Sequence, residues 1–124
     1  MYSNNEETRA FVASGDLSAL QFRIVDLVGQ FKVGHGTAGR GFGVLLNKPL
    51  DGEHATVGIR GELQVRVGSG GVTAGARLSS TASGWAQTIT ASDFGIYDQI
   101  GRALTTASSG HIATVEFNVT RTSS

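Results

Sequence analysis

The stretch IGRALTTASSGHIATVEF, residues 100–117, carries the clearest hairpin signal of the chain. Two segments rich in small and β-branched residues flank an Ala/Ser/Gly turn, which is the composition of two strands and their connection. The stretch offers no nucleophile beside a base and no set of metal ligands. It therefore favours a protein that presents a surface over one that makes or breaks bonds.

Residues 56–67 show the most regular alternation of polar and apolar side chains. The apolar positions of one parity are Val57, Ile59, Leu63, Val65 and Val67. Alternation with a period of two is typical of a strand that buries one face, and Gly58 and Gly61 allow such a strand to curve. We expect this segment to be the central strand of the core.

Residues 20–24 alternate in the same way and predict the first strand of the domain. After Ile24 the parity inverts, because Val25 and Leu27 are apolar on either side of Asp26. An inversion of this kind indicates either a β-bulge or a strand that is covered on both faces.

The composition points to a small all-β protein. The chain has 124 residues, which predicts one domain with a single core. Glycine occurs 18 times and proline once, and each interior glycine weakens a helix by about 1 kcal/mol. No segment of ten or more residues has a helical pattern, and residues 93–98, where one helical turn competes, are interpreted as a loop. We therefore predict a single-domain β-barrel without a substantial helix.

We divide the chain into an N-terminal arm over residues 1–15, a β-barrel domain over residues 16–120 and a C-terminal tail over residues 121–124. The arm begins with a polar stretch that has no period. One interpretation is a frayed terminus. The other is a tail that becomes ordered on a partner, with Tyr2, Phe11 and Val12 as its apolar anchors.

Charge and hydropathy exclude several classes of partner. Ten basic and ten acidic residues cancel, and no window concentrates positive charge, so we expect no nucleic acid. The longest apolar runs, such as residues 44–46, fall far short of the about 20 residues that span a bilayer, and we expect neither a membrane partner nor a signal peptide. Cysteine is absent, which excludes disulfides and thiolate chemistry and fits assembly in a reducing cytoplasm.

A glycine-rich segment, residues 34–39, matches the letters of a dinucleotide-binding fingerprint. That mechanism requires a helix directly after the glycines, so that phosphate lies at the helix N-terminus. Residues 40–43 contain two further glycines and cannot begin a stable helix. We interpret the segment as a surface loop in which His35 and Arg40 are candidates for contacting a neighbouring molecule.

The titratable residues form no catalytic or metal-binding pattern. The three histidines, His35, His54 and His111, are scattered, whereas a histidine zinc site needs three of them to converge. The carboxylates are not paired in the way that glycoside hydrolysis requires. Asp16 and Ser18 are interpreted as turn-forming residues. We expect a protein without enzymatic activity, cofactor or metal.

Read in order, several segments resemble the small decoration proteins of tailed bacteriophages, also called cement or head-stabilising proteins. These segments are residues 16–22, 43–49, 52–57, 75–80, 100–104 and 109–115. From the first to the last segment the resemblance spans roughly residues 16–117, which is most of the domain, and the order and spacing of the segments are more specific than any one of them. Residues 93–99 and the arm have no counterpart in the family pattern.

The resemblance implies a β-barrel or β-tulip subunit that forms homotrimers and has no catalytic residues. Such trimers bind the outer surface of the icosahedral head at three-fold and quasi-three-fold positions and stabilise the lattice of the major capsid protein. The expected partners are therefore the major capsid protein and further copies of this chain. The expected location is the outer surface of the virion, after synthesis in the host cytoplasm. A charged fraction of 16% suits close packing against protein.

We predict contacts with the capsid or within a trimer at nine residues. They are Tyr2, Arg9, Phe11, Val12, His35, Arg40, Trp85, Phe94 and Tyr97. Two alternatives stay open: another virion component, such as a head-fibre base or tail protein, and a carbohydrate-binding domain. In the second alternative, Trp85 and Tyr97 form a sugar platform beside Asp93 and Asp98. For Trp85 itself, core packing or a trimer contact is favoured over sugar stacking.

Overall fold

The computed structural model describes residues 7–35, 41–81, 84–89 and 98–121. These residues form nine β-strands and no helix, which confirms the predicted all-β class. The strands are β1 (Glu7–Ala13), β2 (Ile24–Gly29), β3 (Lys32–His35), β4 (Gly43–Leu45), β5 (His54–Arg66), β6 (Arg77–Ser80), β7 (Ala86–Thr88), β8 (Asp98–Ala103) and β9 (Ile112–Arg121).

Five of the strands close into a barrel. They lie in the order β1-β3-β2-β4-β5, and β5 pairs with β1 to complete the circle. Strands β1 and β3 are parallel, and the other neighbours are antiparallel. Closure gives each of these strands a hydrogen-bonded neighbour on both sides, so the barrel presents no long unpaired edge.

A second, antiparallel sheet lies beside the barrel in the order β5-β9-β8-β6-β7. A single bridge between Val67 and Ala86 connects β7 back to the end of β5, so this sheet is also curled. The hairpin predicted from residues 100–117 is present as β8 and β9, which pair from Asp98 with Arg121 to Ala103 with Val115.

Strand β5 belongs to both sheets. Its residues 54–60 pair with β1 and β4, and its residues 61–66 pair with β9. At the changeover Gly61 has a φ of +103°, a conformation that residues with a side chain rarely adopt. A methyl group at Gly58 would lie 2.8 Å from the side chain of Leu63. Residues 58 and 63 therefore face the same side of the strand, although regular alternation would place an even and an odd position on opposite sides. The strand therefore exchanges its faces at Gly61.

Because β5 exchanges its faces, its apolar positions serve two cores, and the prediction of a single core is wrong. The barrel interior holds Phe11, Ala13, Leu17, Leu20, Val25, Val33, Leu45, Ala55 and Val57. The core of the second sheet holds Ile24, Val44, Leu63, Val65, Val67, Val72, Leu78, Ala86, Ile100, Ala103, Ala113, Val115 and Phe117. All five barrel strands contribute to the first set, and the outer barrel wall contributes Ile24 and Val44 to the second.

The start of strand β2 is covered on both faces, which decides between the two interpretations of its sequence. Ile24 packs in the core of the second sheet, and Val25 packs inside the barrel. The strand predicted over residues 20–24 is wrong, since the backbone turns there: Leu20 N–H donates to the Leu17 carbonyl at 2.9 Å. Leu17 and Leu20 are apolar because they fill the barrel interior. The alternation over residues 20–24 resembles a strand only in the sequence.

The predicted arm over residues 1–15 contains a barrel strand. Strand β1 pairs with both β3 and β5. Phe11 is only 8% exposed and meets Phe42 edge to face, with ring centroids 5.3 Å apart. Phe11 is therefore a core residue, and residues 7–13 are not a free tail. Residues 1–6 lie outside the described residues, and β9 extends to the first residue of the predicted C-terminal tail.

The burial of Ile24 against the second sheet can be tested with two truncations on the same strand. Ile24→Ala is expected to lower the free energy of unfolding by about 2–5 kcal/mol, because it leaves a cavity in a closed core. Leu27→Ala, where the side chain is half exposed, is expected to lower it by no more than about 1 kcal/mol. Urea denaturation measures both values. Equal losses would contradict the assignment of the strand faces.

Candidate functional site

Four large apolar side chains are exposed on the β2–β3 hairpin and the neighbouring end of β1. Phe31 is 68% exposed, Val28 50%, Leu27 46% and Val12 39%. These are four of the seven large hydrophobic side chains that are exposed among the described residues. The Val12 N–H donates to the Phe31 carbonyl at 2.9 Å, which fixes β1 against the hairpin turn. We call Val12, Leu27, Val28 and Phe31 the hairpin patch.

Phe31 is unfavourable in two ways in the isolated molecule. Its φ is +56°, and a left-handed backbone costs a residue with a Cβ roughly 1–2 kcal/mol. Its side chain is also the most exposed large hydrophobic one among the described residues, so burial does not compensate for the strain. Strained residues and exposed apolar side chains concentrate at binding sites. The hairpin patch is therefore the first candidate site.

Phe22 is the other non-glycine residue with a positive φ in the described part of the chain, at +67°. Its N–H donates to the Leu45 carbonyl at 2.7 Å, and its carbonyl accepts from the Arg66 N–H at 2.8 Å. These bonds tie the turn before β2 to β4 and to the end of β5. The strain at Phe22 thus serves the fold.

A second candidate site is an open surface pocket of about 430 Å³ beside the second sheet. Three connections meet there: the one after β5, the one after β6 and the one before β9. The residues that line the pocket are Gly68, Ser69, Thr81, Trp85 and Ser109. The volume lies within the range of about 300–1,000 Å³ that is usual for ligand pockets.

Trp85 is held firmly at this pocket. The Arg23 guanidinium lies 4.9 Å from the centre of the indole, close enough for a cation–π interaction. The backbone N–H of Trp85 donates to Thr81 Oγ1 at 3.1 Å, and the backbone N–H of Thr81 donates to the Trp85 carbonyl at 2.8 Å. Trp85 belongs to neither core cluster. The preference for core packing of Trp85 is therefore not supported.

Two glycines allow the chain to approach closely around the pocket. Gly84 has a φ of +83°, and a Cβ there would lie 2.5 Å from the Ile24 carbonyl oxygen. A Cβ at Gly68 would lie 3.0 Å from the Cβ of Trp85. A side chain at either position would therefore meet its neighbours too closely. The two glycines allow the chain to hold Trp85 between the barrel and the end of β5.

The nine predicted contact residues fare differently. Tyr2, Arg40, Phe94 and Tyr97 lie outside the described residues, and for His35 the structure describes only the backbone, which pairs with Val25 at the end of β3. Phe11 is buried, as described above. Arg9 is exposed and forms an ion pair with Glu7 at 3.5 Å. Val12 and Trp85 are at the surface, one in the hairpin patch and one in the pocket.

Sequence reasoning missed three members of the hairpin patch: Leu27, Val28 and Phe31. The available signal was three apolar residues placed immediately around the Gly29–Gln30 turn, a position where polar residues are usual. The inverted alternation after Ile24 predicts Leu27 as part of a strand, and the sequence pattern assigns no surface role to any of the three. Their exposure depends on where the barrel ends, which no local pattern specifies.

The turn interpretation of Asp16 and Ser18 is confirmed. The Ser18 hydroxyl and N–H donate to the Asp16 carboxylate at 2.7 and 2.9 Å, and these bonds lower the pKa of Asp16. Within the described ranges no three potential metal ligands come together. The same residues include no helix that is long and apolar enough to cross a membrane.

Comparison with known proteins gives one informative result, which concerns the fold. No family model matches the sequence, and no curated protein matches it. Among solved structures, the chain is similar to the N base of the head fibre protein gp8.5 of bacteriophage phi29, with a TM-score of 0.69 at 18% identity. The match covers 91% of this chain and 94% of that chain. The two proteins therefore share their architecture over nearly their whole length.

The role of Gly84 can be measured against a glycine with the same backbone. Gly110 has a φ of +84° but nothing within 4 Å of a Cβ. Gly110→Ala is expected to cost roughly 1–2 kcal/mol of stability from strain alone, and Gly84→Ala about 1–3 kcal/mol more from the clash with Ile24. Thermal unfolding compares the two variants. Equal losses would show that the contact with Ile24 relaxes freely.

The strain at Phe31 predicts an unusual substitution. Phe31→Asn is expected to raise the free energy of unfolding by about 1 kcal/mol, because Asn tolerates the left-handed region and little ring burial is lost. Phe22→Asn, at a similar φ but with a half-buried ring, is expected to destabilise. Chemical denaturation measures both. A loss of more than about 1 kcal/mol for Phe31→Asn would mean that the ring supports the fold.

Proposed function

We propose that this chain is a non-catalytic structural component of a tailed-phage head, bound to the outer surface of the capsid through the hairpin patch. The observation that carries the proposal is the similarity of fold, over nearly both chains, to the base of a phage head fibre. The segments that resemble decoration proteins support the same location from the sequence. The two likenesses concern different proteins of the phage head.

The hairpin patch suits this role because its side chains are apolar, exposed and held on a rigid support. Complete burial of a Val, Leu or Phe side chain contributes about 1.5–3 kcal/mol. The hydrogen bond from Val12 to Phe31 and the pairing of β2 with β3 order the patch before it binds. Little conformational entropy is then lost on docking, which leaves more of the burial energy for affinity.

Within this proposal, the decoration role is the finer assignment. We propose that the chain forms homotrimers that bridge neighbouring subunits of the major capsid protein. Three copies then contact the shell together, so that modest individual contacts add to a strong attachment. A protein that binds only the assembled lattice stabilises it by mass action, by about 4 kcal/mol at a thousandfold excess over Kd. The alternative role is a fibre base, with which the similar solved structure is consistent.

A binding experiment on purified heads that lack the protein tests the proposal. Wild-type protein is expected to co-sediment with the heads in a saturable manner. Leu27→Asn is expected to weaken binding about five- to tenfold, because the apolar contact is lost. The matched control is Leu104→Asn, because Leu104 on the second sheet is also 46% exposed but lies outside the patch. Its binding is expected to be unchanged.

Equal effects of the two Leu variants would contradict docking through the hairpin patch, and absence of co-sedimentation would contradict the head-bound role itself. The same samples separate the two finer assignments. Heads saturated with a decoration protein resist thermal disruption more than bare heads do, whereas a fibre base binds without that gain. Light scattering coupled to size exclusion measures whether the free protein is a trimer.

A further inference from the structure

The proposed function uses the hairpin patch and assigns no role to the pocket beside Trp85. We propose that this pocket binds a pyranose residue of a glycan, stacked on the indole of Trp85 and hydrogen-bonded by the hydroxyls at its rim. This site differs from the sugar platform considered from the sequence, which combined Trp85 with Tyr97, Asp93 and Asp98. Its polar groups come instead from Ser69, Thr81 and Ser109.

The first support is that the fold does not need the indole of Trp85 for its core. The ring is half buried, belongs to neither core cluster and lines an open pocket. No described residue accepts a hydrogen bond from its indole N–H. A large aromatic side chain kept at the surface is typical of recognition sites.

The second support is that the platform is already ordered. Arg23 covers one face of the indole at 4.9 Å, which leaves a single face for a ligand. The Arg23 Nε is buried and has no hydrogen-bond partner among the described residues. The hydrogen bonds between Trp85 and Thr81 fix the backbone beneath the ring. A ligand therefore meets a rigid plane, and binding orders few additional groups.

The third support is the chemistry of the lining. Hydroxyl groups donate and accept hydrogen bonds, and three of the five lining residues, Ser69, Thr81 and Ser109, carry one. The C–H face of a pyranose is apolar and packs on an aromatic plane, while its hydroxyls point outward to such a rim. None of the five described lining residues is charged, and the guanidinium of Arg23 is stacked on the indole. The lining itself therefore offers no Arg or Lys side chain of the kind that phosphate sites use.

The shape of the pocket and its surroundings disfavour a peptide. A peptide that adds to a sheet needs a free strand edge. Here the edge of β7 nearest the pocket is covered, because Val67 bridges to Ala86 and the Gly68 N–H donates to the Ala86 carbonyl at 3.0 Å. An open pocket also suits one ring within a longer glycan. A single stacked ring binds at about millimolar Kd, and many copies on one particle raise the effective affinity.

Because Trp85 is the only tryptophan of the chain, its fluorescence reports directly on the site. We would titrate the purified protein with neutral oligosaccharides of glucose, galactose or N-acetylglucosamine and with an acidic galacturonate oligosaccharide. At least one sugar is expected to change the emission in a saturable manner, with a Kd of about a millimolar. The neutral and acidic sugars show which class of glycan the site prefers.

The blocking variant is Ser109→Tyr, which fills the rim of the pocket and keeps Trp85. It is expected to weaken the response at least tenfold. The matched control is Ser108→Tyr, because the neighbouring Ser108 is also exposed and does not line the pocket. Its response is expected to be unchanged. Circular dichroism verifies that both variants are folded, and Ser69→Tyr serves as a second blocking variant if Ser109→Tyr does not fold.

Three results would overturn the proposal. The first is the absence of a saturable change in Trp85 emission with every sugar, and the second is a change in emission that persists in the blocking variant. The third is a response to the acidic sugar alone that disappears in high salt, because this indicates charge attraction instead of stacking. A fourth is specific to the phage head. If purified heads shift the Trp85 emission and the blocking variant loses head binding, the pocket is a protein contact.

Discussion

The passage of β5 from the barrel into the second sheet is the constraint on which the rest of the structure depends. Residues 54–60 of this strand close the barrel against β1, and residues 61–66 begin the second sheet against β9. The two halves bury opposite faces because the backbone inverts at Gly61. One strand thereby fixes the orientation of two separate cores. The residues that follow it, Gly68 and Ser69, enter the Trp85 pocket directly.

This arrangement explains how so short a chain supports two surface sites on rigid elements. Strand β4 and the start of strand β2 are buried on both faces, because the second sheet covers part of the barrel exterior. The hairpin turn between β2 and β3 extends beyond that covered region and exposes Phe31 and Val28. A strained, exposed ring lowers the stability of the free molecule, and burial against a partner recovers part of that cost. The hairpin is therefore better suited to the bound state than to the free one.

Local patterns predicted the fold class and the strands that bury one face. The β8–β9 hairpin follows from its composition, and the curvature of β5 follows from its glycines. The prediction failed where tertiary context assigns the role of an apolar residue. Leu20 and Phe22 alternate like a strand yet form a turn, since Leu20 fills the barrel and Phe22 adopts a positive φ. The polar residues before Phe11 show no alternation, so the sequence predicts an anchor on a tail where the structure has a strand.

The candidate sites were less accessible from the sequence than the fold. Trp85 and Val12 were found because aromatic and apolar residues in polar surroundings are conspicuous. The residues beside Trp85 come from three connections far apart in the chain, so no spacing rule brings Ser69 and Ser109 together. The exposure of Leu27 and Phe31 follows from the length of the barrel strands. Both sites therefore depend on how the strands align with one another, and the pattern of a single sequence specifies that register poorly.

The central claim is that the rigid β2–β3 hairpin attaches this protein to the phage head. A density map of heads saturated with the protein tests that claim most directly, because it shows the orientation of each bound copy. The account requires density for the barrel on the outer shell, with Phe31 and its neighbours against a capsid subunit and the second sheet further from the shell. Density in which the hairpin points into solvent, or heads without bound protein, would contradict it.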